Sequence, residues 1–196
     1  MSFWNIFFGN KGEDNKKENI QSPFMPNSKE PIEIEFARNF TRKGGRFLFG
    51  DSKNDHASFF EKILNENSWI KSDVISLDIK LAQEFNLDHD KELIISSKKK
   101  VAFIGCEFLI ANTGGILISS NQIKNLSLVQ LPENIIVSAT VDQFAGDLSD
   151  GMSKLKNLHE KNLPSNITNL NAKNPTKESD FLSHGTSSKN IYLLIQ

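Results

Sequence analysis

The chain has 196 residues, 38% hydrophobic and 24% charged, which suits one ordinary globular domain with tails and is marginal for two. Lys+Arg total 23 against Asp+Glu 24, a net charge of -1, so general attraction to nucleic acid or an anionic membrane is excluded and any anion site must be local. Cys106 is the only cysteine, which rules out an intrachain disulfide and a cysteine-based metal or iron–sulfur site and suits a reducing cytoplasm.

At the start of the chain, Phe3, Trp4, Ile6, Phe7 and Phe8 form an aromatic cluster ahead of an Asn/Lys/Glu-rich segment. Residues 1–28 therefore read as a flexible tail with a sticky tip, docking on the domain itself or on a second copy, or anchoring at a partner or membrane interface. The apolar stretch of the tail is shorter than the roughly 7–15 residues of a signal sequence and lacks a basic flank. No run approaches the ~20 apolar residues that span a bilayer, and a cytoplasmic protein is expected.

Residues 29–196 read as one α/β domain. Ile32, Phe36 and Phe40 recur at helical spacing until Gly44 and Gly45, predicting a helix that ends at the glycines. "RFLFG" reads as a strand. Asp55 is a candidate cap for a helix carrying Phe59, Phe60, Ile63 and Leu64 on one face. The strand "DVISLD" follows, then a short helix from Leu77 and Asp78 through Phe85, and "ELIISS" reads as a further strand. Lys98, Lys99 and Lys100 read as a solvated turn. "VAFIG", "GILISS" and "NIIVSA" are continuous apolar runs, as strands covered on both faces would be. Phe144, Leu148, Met152, Leu155 and Leu158 predict one long amphipathic helix within residues 141–162. A polar stretch, "NLNAKNPTKESDFLSHGTSSKN", precedes a closing strand, "IYLLI". Strands interleaved with helices imply a three-layer α/β sandwich around a largely parallel sheet, with no internal repeat.

Loops at the strand ends are where such sheets bind ligands. Asn112, Thr113, Gly114 and Gly115 join two apolar runs in "CEFLIANTGGILISS". Their amide, hydroxyl and small-residue backbone suit a small anion, although an ordinary tight turn satisfies the same pattern. Ser119 and Ser120 end the next strand, with Lys124 and Asn125 just after, and His184 lies between small residues ahead of the last strand; these are the further candidate contacts. The turn is neither a phosphate-binding P-loop nor a dinucleotide fingerprint. There is no nucleophile elbow, so no catalytic residue is assigned. His56, His89 and His159 show no metal-ligand spacing, and no metal or cofactor is expected. Cys106 reads as a buried structural thiol.

Taken together, "NFTRKGGRFLFGD", "LIANTGGILISS", "LPENIIVSA" and the closing strand resemble the LUD domain of lactate-utilisation proteins, the C-subunit type. The resemblance covers residues 31–196. It implies a fold similar to the NagB/RpiA/CoA-transferase group and participation in oxidising L-lactate to pyruvate as a non-redox, substrate-handling subunit beside iron–sulfur partners. Asn112 stands where the family turn commonly carries Glu, which removes an acyl-glutamate mechanism. Lys177, Asp180, His184 and Gly185 match a second family stretch only loosely. Alternatives are a stand-alone enzyme acting on a sugar phosphate or CoA thioester, and a scaffold protein docking through its aromatic tip, with self-association compatible with each.

Overall fold

The computed structural model describes residues 30–196 apart from 51, 91, 97–98, 161 and 174–187. The tail at residues 1–28, and Lys177, Asp180, His184 and Gly185, lie outside the described residues. Among those described, nine strands form one mixed sheet: β1 (Arg46–Phe49), β2 (Val74–Ser76), β3 (Val101–Gly105), β4 (Phe108–Ile110), β5 (Gly115–Ser119), β6 (Asn134–Ala139), β7 (Phe144–Ala145), β8 (Ile167–Ala172) and β9 (Ser188–Ile195). The order is β2-β3-β6-β9-β8-β5-β4-β7, with β1 also on β9. β1, β2, β3, β6 and β9 run parallel, whereas β4 with β5 and β5 with β8 are antiparallel.

Helices cover both faces, giving the expected three layers. α1 (Ile32–Arg42) puts Phe36 and Phe40 into one core beside Ala102, Ile104, Ile135 and Val137. α2 (Lys53–Glu66) and α3 (Ile79–Phe85) put Phe60, Ile63, Leu64 and Phe85 against Val101, Phe103 and Ile136 on the other face. Alternate residues of β3 and β6 thus enter different cores. That is why β3 and residues 135–137 of β6 are apolar with no polar alternation.

Several elements differ from the sequence-based expectation. Ser52, not Asp55, caps α2: its hydroxyl accepts from the Asp55 amide at 3.2 Å and donates to the Asp55 carboxylate at 2.8 Å. "ELII" is not a strand but one helical turn, α4 (Glu92–Ile95), begun by Asp90 accepting the Glu92 amide at 3.0 Å. A run of three apolar residues fits either structure, and here the local acceptor decides. The long helix foreseen within residues 141–162 splits into a 3₁₀ turn, β7, and α6 (Leu148–Leu158). Asp147 caps α6, and Phe144 instead meets Phe36 edge-on at 5.4 Å while β7 pairs with β4. The polar stretch opens inside β8, where Asn169 and Asn171 belong to a strand. Lys99 is not a solvated turn residue: it pairs with Asp88 and donates to Ser72 O, leaving its side chain 7% exposed.

The "ANTGG" segment closes the β4–β5 hairpin and lies against α1. Asn39, buried on α1, donates from Nδ2 to Ala111 O at 2.9 Å and Asn112 O at 3.2 Å. Gly114 has φ +64°, and a Cβ there would stand 2.4 Å from the Phe40 amide nitrogen. Only glycine allows both this conformation and this approach. Gly114→Ala is expected to cost about 2–4 kcal/mol in urea denaturation, from left-handed backbone plus overpacking. Asn112→Ala, at an exposed position, should stay within about 0.5 kcal/mol of wild type. Equal stability of the two variants would contradict this packing role.

Candidate functional site

β2, β3 and β6 end side by side at Ser76, Gly105 and Ala139. The chain leaves β3 through Cys106 and Glu107, and the Glu107 amide bonds to Leu117 O at 2.8 Å. This places the carboxyl next to the end of β5 and the start of α5 (Ser120–Ile123). Glu107 is 4% exposed and Ser119 1%. Ser119 Oγ donates to Glu107 Oε1 at 2.6 Å and Gln122 Nε2 to the same oxygen at 3.0 Å. His159, at the C-terminal end of α6, brings Nε2 to 3.1 Å from Glu107 Oε2. Gln143 completes the knot, donating to Cys106 O at 2.6 Å.

Burial alone would raise the Glu107 pKa. Hydrogen bonds from Ser119, Gln122 and His159, with the His159 charge, hold it below the ordinary carboxylate value. An ionised carboxylate is thereby fixed in the fold. The residue types are those of an acyl-transfer triad, but the connectivity differs: the serine donates to the carboxylate, not to the histidine. A carboxylate with a depressed pKa is a poor base for a serine hydroxyl. Burial pushes the Cys106 thiol up as well, so it is a packed, unreactive sulfur.

One cavity borders this cluster and another lies by the start of α5. A cavity of about 740 Å³ borders Glu107, Thr140, Asp142, Gln143 and Lys154. Its lysine is engaged by Asp150 at 2.9 Å and by Phe144 O at 3.0 Å. The other, about 780 Å³, is a cleft lined among others by His89, Asp90, Ser120, Asn121, Lys124, Asn125 and Ser165. Lys124 has no ion-pair partner among the described residues. It and Asn125 are consecutive non-glycine residues with positive φ, +50° and +64°. His89 Nδ1 donates to Ser76 O at 2.9 Å when neutral, which leaves Nε2 as the acceptor nitrogen. Ser165 Oγ lies 3.3 Å from both Ser120 Oγ and Asn125 Oδ1. A free ammonium amid amides and hydroxyls, beyond the carboxyl ends of parallel strands, is suited to a small anion.

The structure separates the sequence-derived candidates. Asn112, Thr113, Gly114 and Gly115 sit at one end of β5, and Ser119 and Ser120 at the other, about 13 Å away at strand rise. Three of the turn's backbone donors are also engaged: Asn112 N bonds to Gly146 O, Gly114 N to Ile110 O, and Gly115 N to Thr113 Oγ1. Ser119 faces Glu107, and Ser120 borders the cleft. His184 lies outside the described residues. The sequence reading missed Glu107, Gln122, His89 and His159. A lone carboxylate inside the apolar "GCEFLI" and the Ser119–Gln122 capping pair were the available signals. His56 is buried near Phe85. Among the described residues no group of three or more His, Cys, Asp or Glu could hold a metal, and no helix is long and apolar enough to cross a membrane.

The family model for the LUD domain matches residues 94–195, a span that includes the cluster and most of both cavities. Among solved structures, the crystal structure of a DUF162 family protein from Deinococcus radiodurans is similar, with a TM-score of 0.58 and 14% identity, covering 84% of this chain and 96% of that one. At that identity the likeness bears on the fold. No curated protein matches.

Glu107→Gln is expected to lose about 1–3 kcal/mol near neutral pH, because the charged hydrogen bonds go. A carboxyl with a depressed folded pKa contributes stability that is present above its ordinary value of 4.5 and lost as pH falls through the folded value. Urea denaturation from about pH 7 to about pH 3 should therefore show the gap between wild type and Glu107→Gln closing in acid. A gap independent of pH would contradict an ionised Glu107.

Proposed function

Since the chain belongs to the LUD-domain family, we propose that it serves cytoplasmic L-lactate oxidation to pyruvate as a non-redox subunit. In this reading it holds a small carboxylate or phosphorylated compound while separate iron–sulfur subunits carry the electrons. The observation that carries the proposal is Lys124: a cation unpaired among the described residues, held in a left-handed conformation on the wall of the roughly 780 Å³ cleft. A non-glycine residue at such a φ costs about 1–2 kcal/mol, and a cost of that kind is characteristic of functional loops. Ser120, Asn121 and Asn125 add neutral donors around the ammonium, and the acceptor nitrogen of His89 can take a hydrogen bond from a ligand hydroxyl. The set can bind and orient an anion.

The division of labour follows from the residues at hand. The sole cysteine is buried with its thiol pKa raised, so electron transfer falls to other chains. Ser119 is committed to Glu107 and to capping α5, which leaves it unsuited to covalent catalysis.

Thermal shift of wild type and Lys124→Gly with L-lactate, pyruvate, CoA and a sugar phosphate tests this. A cognate ligand at 100 times its Kd should stabilise wild type by about 2.7 kcal/mol. Lys124→Gly relieves the strained backbone, so it should keep or gain up to about 1 kcal/mol of stability while losing the response. A response to CoA or the sugar phosphate alone would favour a stand-alone enzyme of the same fold group. If Lys124→Gly responds like wild type, or no compound acts, the small-anion assignment fails. A response lost only in Asn112→Ala would move the anion to the hairpin turn.

A further inference from the structure

A second charged cavity lies at the opposite end of the sheet, where the parallel strands begin. Along one side of β9 the partner changes: Ala172 of β8 stands opposite Lys189, and the next register pair is Arg46 of β1 opposite Tyr192. Asn190 and Ile191 thus have no strand partner on that side, and the break opens a cavity of about 290 Å³. Arg46, Asn67, Asn134, Lys173, Asn190 and Tyr192 are among its lining residues.

Arg46 is held in place at this break. Its guanidinium carbon lies 5.1 Å from the centroid of the Tyr192 ring, and Nη1 donates to the Tyr192 hydroxyl. That hydroxyl donates to Asn67 Oδ1 at 2.7 Å, and Asn67 Nδ2 donates to Ile63 O on α2 at 2.8 Å. Trp69 closes on the Tyr192 ring edge-on at 6.0 Å. No carboxylate pairs with Arg46 among the described residues. An arginine oriented by stacking and a hydrogen-bond relay, yet without a counter-ion, has its remaining N–H groups available and little rotamer entropy left to lose.

The surroundings are positive in a chain whose net charge is -1. Lys173 and Lys189 share one carboxylate, Glu133, at 3.3 and 3.5 Å. Lys43, next to the lining Gly44, donates to Asn171 Oδ1 at 3.2 Å. The amides are ordered as well: Asn190 Nδ2 donates to Asn134 Oδ1 at 3.1 Å, and Asn134 Nδ2 to Lys100 O at 3.3 Å. We infer that this cavity is a second binding site, for a small oxyanion presented as a phosphate or carboxylate group and held between the free edge of the Arg46 guanidinium and the Lys173 ammonium. Guanidinium recognises either group through paired N–H donors. The volume is at the low end for ligand pockets, so it suits a small ion or the tip of a larger molecule.

The test is a titration of the ¹⁵N-labelled full chain with inorganic phosphate and, separately, acetate, with chloride at matched ionic strength as control. The expected result is saturable movement of the Arg46 Nε–H and of the Asn134 and Asn190 side-chain amides with at least one oxyanion and not with chloride. The stronger of the two identifies the group. Arg46→Gln should weaken binding about tenfold or more, and Arg46→Lys should also weaken it because charge survives without the fork. Lys173→Gln reads the same site without touching Tyr192, should Arg46→Gln disturb the fold, and it too should weaken binding. Lys124→Ala should leave this response intact. Shifts that chloride reproduces, or that persist unchanged in Arg46→Gln or Lys173→Gln, would overturn the inference. So would movement confined to residues around Lys124, which would leave the proposal for that cleft standing.

Discussion

The C-terminal edge of the sheet depends on one buried carboxylate. Glu107 receives hydrogen bonds from Ser119 at the end of β5, Gln122 on α5 and His159 at the end of α6. Two segments, the β5–α5 junction and the end of α6, are therefore fixed relative to β3 by a single ionised group. Removing one member of such a set leaves charge or donors buried without partners, which costs more than the set contributes as a whole. Glu107 and Gln143 line the cavity of about 740 Å³, while Ser120 and Asn121, next to Ser119 and Gln122 in the chain, line the cleft that carries Lys124.

The mixed sheet explains how the cleft forms. A wholly parallel sheet would send the chain from β3 across a helix to the next strand. Here the chain turns back through the β4–β5 hairpin, and β5 returns antiparallel to the edge where β3 ends. Ser119, Ser120 and α5 arrive above Gly105, with Gln122 at van der Waals distance from where a Gly105 Cβ would be. The opposite end of the hairpin, at Gly114, is pressed onto α1. One hairpin thus anchors the helix layer at its turn and delivers the polar residues at its far end.

How much of this was legible follows from the range of each signal. β3, β6 and α1 could be read because burial on both faces, or a Phe36–Phe40 repeat, writes itself into consecutive residues. "ELII" could not, since three apolar residues carry no period. Phe144 stands four residues before Leu148 and so imitated a helix that in fact starts at Leu148. The two glycines of the hairpin turn were visible, but their reasons are distant in the chain: Gly114 lies against Asn39 and Phe40 of α1, and Gly115 against the Asn169 side chain of β8. Glu107 and His159 are 52 residues apart and become neighbours only through the tertiary fold. Ser120 and Lys124 were within reach because α5 is short and local.

The most direct measurement is a crystal structure of the full chain grown with pyruvate. Density for its carboxylate against Lys124 Nζ, with Ser120, Asn121 or Asn125 as further donors, is the predicted result. Density at residues 112–115, or a Lys124 side chain left to solvent at saturating pyruvate, would contradict the assignment of the cleft.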